Sequence, residues 1–386
     1  MLWLAWRMLA GDPAKFRGIV FGVAFATLLM AQQLSIFIGI MKRTGNQVLD
    51  VEDAPIWVMH ARTRFVDEAP GLPELDRERV RGVPGVAWAT PLYKGGVTAR
   101  LADGSFRAGI LLAVDDVDLV GAPRTMLAGA VEDLARDDAV IVDRAGYEYM
   151  WPEEAADAHA GRFRLGRAFE MNDHRAILVG VCAASPPFTT VPVLYARFGA
   201  ARAFLPRGRN MMNFVLAAPA PGLDPDEVCA RIEARTGLAA LTRSAFFWKT
   251  IRYFLSSTGI PINFGITILL GFAVGVAIAG QTFYLFTIDN LYQFAALKAM
   301  GVSHAMLSGM ILAQGAAVGA IGYGLGMGAT AAYFQSTQTI THLAGIFVYP
   351  AVLAGTGVAV ALIVALASLV SIRRVLVLEP AMVFRR

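Results

Sequence analysis

The chain has 386 residues, with 34 Lys and Arg against 30 Asp and Glu, a formal net charge of +4. Its apolar share of 56% lies above the roughly 45–50% of soluble domains, and its charged share of 17% lies below their roughly 25%. These figures exclude disordered, fibrous and small disulfide-stapled classes, and they point to a membrane protein.

The charges are unevenly placed. Residues 18–41, 253–288 and 299–372 contain no Asp, Glu, Lys or Arg. Residues 44–255 hold 27 acids and 24 bases, a net of −3, and the rest of the chain holds 3 acids and 10 bases, a net of +7. No basic face is concentrated in the charged stretch, so nucleic-acid binding does not explain the overall positive balance.

About 20 apolar residues cross a bilayer as a helix, because lipid offers no partner to free backbone groups. The pattern predicts an interfacial helix over residues 1–17 and spans over 18–41, 261–288, 304–332 and 347–370. Between the last two spans, residues 333–346 include the polar run Gln335–His342 and read as a short hairpin in water. The expected fold is an α-helical membrane protein with four transmembrane helices, one plus three. A large α+β domain over 42–260 separates the first helix from the others. The first span is longer than a signal-peptide core and has no clean small-residue cleavage site after Gln32 and Gln33, so it is expected to be retained.

Orientation follows from the short basic segments, which stay in the cytoplasm. Arg7, Lys15 and Arg17 precede the first span, and Arg373, Arg374, Arg385 and Arg386 follow the last in a tail over 371–386. Both termini are therefore expected in the cytoplasm, with residues 42–260 on the outer side. In a Gram-negative cell that side is the periplasm and the membrane is the inner one. Residues Leu2, Trp3, Trp6, Leu9 and Phe16 suit either a helix lying on the membrane surface or ordinary aromatic anchors.

Within the outer domain, strands are predicted at 56–60, 86–91, 96–101, 107–114, 139–143, 176–181 and 213–217. Asp103-Gly104 marks a hairpin turn. Helices are predicted at 75–82 and at 226–236, the second capped near Asp224. Cys182 and Cys229 both fall on the outer, oxidising side and are compatible with a disulfide or with two separate buried thiols.

Catalytic patterns are missing from the sequence. The five lysines Lys15, Lys42, Lys94, Lys249 and Lys298 follow Ala, Met, Tyr, Trp and Leu, so a Gly-Lys-Ser/Thr phosphate loop cannot be built. There is no Gly-x-Ser-x-Gly elbow and no His-Glu-x-x-His, and the five histidines lack metal-ligand spacing. The chain is not expected to be an enzyme or to hold a cofactor or metal itself.

Small residues recur at helix-packing spacing, above all Gly271 with Gly275 and Gly315 with Gly319, which lets helix backbones approach closely. Gln32, Gln33, Gln281 and Gln314 suit hydrogen bonds between helices. No charge sits centrally in any span, which disfavours an ion or proton relay.

The connection over 289–303 reads as a short cytoplasmic helix. Asp289 or Asn290 serves as N-cap, followed by Leu291, Phe294, Leu297, Lys298 and Met300, with Gly301 as stop. An exposed Phe294, Leu297 and Met300 would ask for a partner groove, the bland alternative being a helix on the membrane surface. The stretch Gln293-Phe-Ala-Ala-Leu-Lys-Ala-Met-Gly301 resembles the coupling region of FtsX/MacB-type ABC transporter permeases, with Gln293 where that family commonly has Glu. The tail, with Arg373-Arg374 and then Glu379-Pro380-Ala381, is similar to that family's basic end. Segments around Ile56-Trp-Val-Met59, Val83–Val86 with Pro91-Leu-Tyr93, Thr258-Gly-Ile260 and Gly280-Gln-Thr-x-Tyr284 resemble the DevC-like permeases.

The resemblance implies a permease subunit without catalysis of its own. Two copies would pair, and a separate cytoplasmic ABC ATPase would carry ATP and Mg. The ATPase would bind the 289–303 helix and tail residues Arg373, Arg374, Glu379 and Pro380. Movement of the outer domain would then drive export of lipidic or amphiphilic material, with a periplasmic membrane-fusion adaptor, an outer-membrane channel and membrane lipid as further partners. Two alternatives stand beside it: an FtsX-like transmitter that controls an external partner without transport, and a membrane-anchored receptor or sensor.

Overall fold

The computed structural model describes residues 2–205, 211–338 and 345–376. Glu379, Pro380, Arg385, Arg386 and much of the hairpin over 333–346 lie outside the described residues. The chain falls into two compact units: Ile40–Thr258, and the residues up to Gly39 together with those from Gly259 onward.

The helices are α1 Leu2–Ala10, α2 Pro13–Asp50, α3 Leu75–Arg81, α4 Arg144–Met150, α5 Ala155–His159, α6 Phe198–Phe204, α7 Pro225–Thr236 and α8 Arg243–Ser257. They are followed by α9 Ile260–Asp289, α10 Leu291–Ala299, α11 His304–Ser336 and α12 Pro350–Leu376. Four of them, α2, α9, α11 and α12, are long and apolar enough to cross a membrane.

The strands are β1 Ile56–Met59, β2 Leu72–Pro73, β3 Val86–Arg100, β4 Phe106–Val114, β5 Met126–Ala128 and β6 Ala139–Asp143. The rest are β7 Ala168–Met171, β8 His174–Cys182, β9 Val193–Arg197, β10 Met211–Met212, β11 Phe214–Pro219 and β12 Ala239–Thr242. Most form one mixed sheet in the order β12-β1-β11-β3-β4-β9-β6-β8-β5, with β7 bridging β3 and β8, and β2 pairs separately with β10. β4 with β9 and β6 with β8 run parallel; the other pairs are antiparallel.

Both faces of this sheet are buried, and the two-residue period assigns them. Ile56, Val58, Val215, Ala217, Leu111 and Ala113 enter one core, with α3, α4, α6 and α7 residues. Trp57, Met59, Phe214, Leu216, Leu112 and Val114 enter the other. There the Trp57 ring meets Phe214 at 5.1 Å and Phe246 of α8 at 5.5 Å. The two strands predicted over 86–101 are one, β3. Its hairpin with β4 turns at Asp103-Gly104, where Gly104 has φ +80. Asp224 caps α7 as expected, accepting from Asp226 N at 3.0 Å.

The first membrane helix extends past the expected limit at residue 41. Residues 43, 44, 47 and 48 of α2 are buried, and Val48 joins the second core. The Lys94 ammonium donates to the Gln47 amide oxygen and pairs with Asp67, while Asp50 accepts from Ser185 N at 2.9 Å and Ser185 Oγ at 2.7 Å. These contacts keep the last turns helical where hydropathy alone ends the span. Burial holds the Lys94 ammonium below its ordinary pKa against the pull of Asp67, and burial raises the Asp50 carboxyl despite Ser185.

The two cysteines are separate buried thiols, Cys182 on β8 and Cys229 on α7. Burial, with nearby carboxylates, pushes Cys229 up to about 12 and Cys182 higher still.

In the helical unit, four threonine hydroxyls in the spans are satisfied locally. Thr27, Thr287, Thr330 and Thr356 each donate to the carbonyl four residues back. Close approach is carried by glycine. A Cβ on Gly275 would lie 2.7 Å from Ala26 Cβ of α2 and 2.8 Å from Ile363 Cδ1 of α12; one on Gly271 would lie 3.3 Å from Met30 Cγ. A Cβ on Gly315 would lie 2.6 Å from Ser368 Oγ, and one on Gly319 2.8 Å from Val364 Cγ2. All four glycines picked out by spacing therefore sit at helix crossings within one chain. Gln314 is also buried, but its Nε2 donates at 2.8 Å to the Ala5 carbonyl of α1 rather than to another span.

Candidate coupling site

Three ties gather the start of α2, α10 and the ends of α9 and α12 at one end of the helical unit. Lys15, at the start of α2, forms ion pairs with Asp12 at 2.9 Å and with Asp289, the last residue of α9. The Lys298 ammonium of α10 donates to the Leu376 carbonyl at the end of α12 at 3.0 Å. The Arg374 guanidinium donates to Tyr284 Oη at 3.1 Å and lies 5.7 Å from that ring's centre. The helix macrodipole favours cations at the last turn of α12, which Arg373 and Arg374 supply.

α10 itself departs from the sequence reading in two ways. Its cap position is Asn290, but that side chain turns back to the Phe286 carbonyl at 2.8 Å and leaves the first turn uncapped, while Asp289 is engaged with Lys15. The ring of Phe294 is fully buried and Leu297 is 8% exposed, both in the core shared with Phe283, Phe286, Leu307, Met310 and Val375. The expectation that Phe294 and Leu297 face outward is therefore wrong. With one residue joining it to α9 and four to α11, the apolar face of so short a helix closes over the end of its own bundle. Leu291 is half-buried, and Met300 alone of the three apolar residues faces outward, at 73% exposed.

The outward face consists of Tyr292, at 63% exposed, with Gln293, Ala299 and Met300. Tyr292 was not singled out by sequence. The spacing of Phe294 and Leu297 would have found it, since those two define an inward face and Tyr292 falls on the other side of the helix. Gly301 ends the helix with φ +89, its N–H donating to the Lys298 carbonyl at 3.1 Å. Arg373 and Arg374 lie exposed at the end of α12. The site thus offers a ledge of aromatic, amide and thioether groups on α10, which Lys298 ties to the end of α12, the helix that carries the two guanidiniums. Among the described residues no group of His, Cys, Asp and Glu is placed to hold a metal ion.

Residues 238–380 match the family model described as FtsX-like permease C-terminal, a stretch that contains α9 to α12 and the whole ledge. No curated protein matches the chain. Among solved structures, the extracellular domain of the noncanonic ABC-type transporter YknZ from Gram-positive bacteria is 14% identical over 49% of this chain and 98% of that one, with a TM-score of 0.35. The periplasmic region of MacB from Actinobacillus actinomycetemcomitans is 12% identical over 54% of this chain and 97% of that one, with a TM-score of 0.37. At such scores the likeness is too loose to carry an argument about this chain. The match over 238–380, which takes in three of the four apolar helices, α9, α11 and α12, makes that part of the chain similar to the FtsX-like permease C-terminal domain.

Proposed function

We propose that the chain is the membrane subunit of an ABC transporter, and that a separate cytoplasmic ATPase docks on the ledge formed by Tyr292, Gln293 and Met300 with Arg373 and Arg374. The observation that carries this reading is the division of α10 into two faces. Phe294 and Leu297 fix the helix to the bundle and Lys298 fixes it to α12, so a push on the outward face is passed to α9, α11 and α12 as a unit. A helix lying loosely on lipid would need no such anchoring.

In this reading the termini and the ledge are cytoplasmic, the unit Ile40–Thr258 faces the periplasm of an inner-membrane protein, and the chain works as a homodimer. Nucleotide closure moves the ledge, and α2 carries the motion outward. Its helix runs without a break from Pro13 to Asp50, where Gln47 and Asp50 are held by Lys94 and Ser185. The cargo is amphiphilic material handled at the outer side with an adaptor and an outer-membrane channel. The uncharged spans, with glycine-filled crossings, support a path that does not run between the helices.

The test is purification of the tagged chain from its own cells, with a Walker-motif ATPase sought among the captured proteins. Tyr292→Glu with Met300→Glu should insert normally and lose the ATPase. Retention of the ATPase by that variant would remove the ledge from the account.

A further inference from the structure

The helix that leads into the second span, α8, has two unlike apolar faces. Phe246, Phe247, Ile251 and Phe254 point into the outer unit and are at most 8% exposed. Opposite them Trp248 is 57% exposed and Leu255 44% exposed, with Arg252 exposed between. Positions 248, 252 and 255 share one helix face. Single exposed apolar residues are ordinary, but here a Trp and a Leu flank one Arg on one helix face that leads into a span.

Chain connectivity keeps the end of this face close to the start of a span. Only Thr258 and Gly259 separate Ser257, the end of α8, from Ile260, the start of α9. Leu255 is five residues from that start, so even a fully extended chain would keep it within about 18 Å. Apolar exposure then continues into α9 through Ile262, Ile266 and Leu269, which are 54–68% exposed. Arg64, which pairs with Glu68, lies 5.3 Å from the Tyr253 ring of α8, on the same loop as the exposed Arg62.

We propose that the Trp248–Arg252–Leu255 face of α8 seats on the outer leaflet of the membrane. Trp248 and Leu255 enter the boundary between headgroups and acyl chains, and Arg252 binds a phospholipid phosphate. Indole is the side chain best matched to that boundary, with an apolar body and one N–H donor. A guanidinium matches phosphate in two-pronged geometry. Lipid is favoured over a protein partner because the face is continuous in sequence and in apolar character with a membrane span. The proposal is independent of any ATPase.

The test uses the full chain in lipid nanodiscs and the emission of Trp248, isolated from the other five tryptophans by subtracting Trp248→Phe. Phosphatidylcholine brominated near the headgroup end of its chains should quench Trp248 about twofold, and the same lipid brominated near the chain terminus should quench it less, as for a helix seated at the headgroup boundary. Arg252→Glu with Leu255→Ser, which leaves Trp248 in place, should lose most of that quenching. Emission indifferent to both lipids but open to acrylamide from water would overturn the proposal. So would shielding from lipid and water alike that disappears in discs holding a single copy, which would assign the face to a second chain.

Discussion

The ammonium of Lys298 donates to the main-chain oxygen of Leu376 at 3.0 Å, joining the connection after the second span to the last turn of the fourth. Together with Arg374 on Tyr284, it makes the end of the bundle one body rather than four separate helix ends. Lys298→Met keeps the aliphatic stem and removes this donor, so it is expected to insert normally but loosen α10. The measurement is hydrogen exchange over residues 291–300, which should speed up while exchange in the Ile40–Thr258 unit stays unchanged.

Phe294 and Met300, six residues apart, should respond oppositely. Phe294→Ala opens a cavity in the bundle core, a change that costs about 3–5 kcal/mol at buried Phe sites. It should lower thermal stability in detergent. Met300→Glu changes only an exposed side chain and should leave stability within about 0.5 kcal/mol. Equal stabilities for the two variants would contradict the burial assigned to Phe294.

Two glycines on α11 make a second pair. A Cβ on Gly326 would lie 2.5 Å from the Ala24 backbone oxygen of α2, whereas one on Gly324 meets nothing within 4 Å. Gly326→Ala should destabilise the bundle by about 1–3 kcal/mol, the usual cost of overpacking. Gly324→Ala should be neutral or stabilising by up to about 1 kcal/mol through helix propensity. Denaturation of the two variants in the same detergent compares them directly.

Asp143 gives a pH test. Burial raises its carboxyl from 3.8 to about 6, and it accepts from Val193 N at 2.8 Å. Between those values the native state holds a proton that the unfolded chain has released, so this group's contribution to stability falls as pH rises through the window. The difference amounts to about 3 kcal/mol by the linkage relation. Asp143→Asn keeps an oxygen for Val193 and should gain on the wild type as pH rises from about 4 to about 6. A stability difference that does not change with pH would refute the shift.

The thiols give a chemical one. Cys182 and Cys229 are buried and separate, so a reductant should leave the melting temperature unchanged. Both should react with maleimide only after unfolding, because burial keeps them as protonated thiols.

Charge gaps and hydropathy placed the membrane helices in the sequence, because the bilayer imposes one length and one polarity on each. Asp224 before α7 and Asp103-Gly104 between β3 and β4 were legible because caps and turns are local chemistry. The extension of α2 to Asp50 was not, since it depends on Lys94 and Ser185, distant in sequence. The direction of Phe294 was hidden for a related reason. Periodicity shows that a face is apolar, but whether it meets a partner or its own bundle depends on Phe283, Phe286 and Val375, which only the fold brings to it.

In the proposed function a cytoplasmic ATPase presses on the outward face of α10. The most direct measurement places a photo-crosslinking residue at Met300 in whole cells, with the exposed Leu75 of the Ile40–Thr258 unit as control. The account predicts a crosslink from position 300 to a Walker-motif ATPase and none from position 75. Absence of that crosslink, or labelling of a cysteine at position 300 by a membrane-impermeant reagent added from outside, would contradict it.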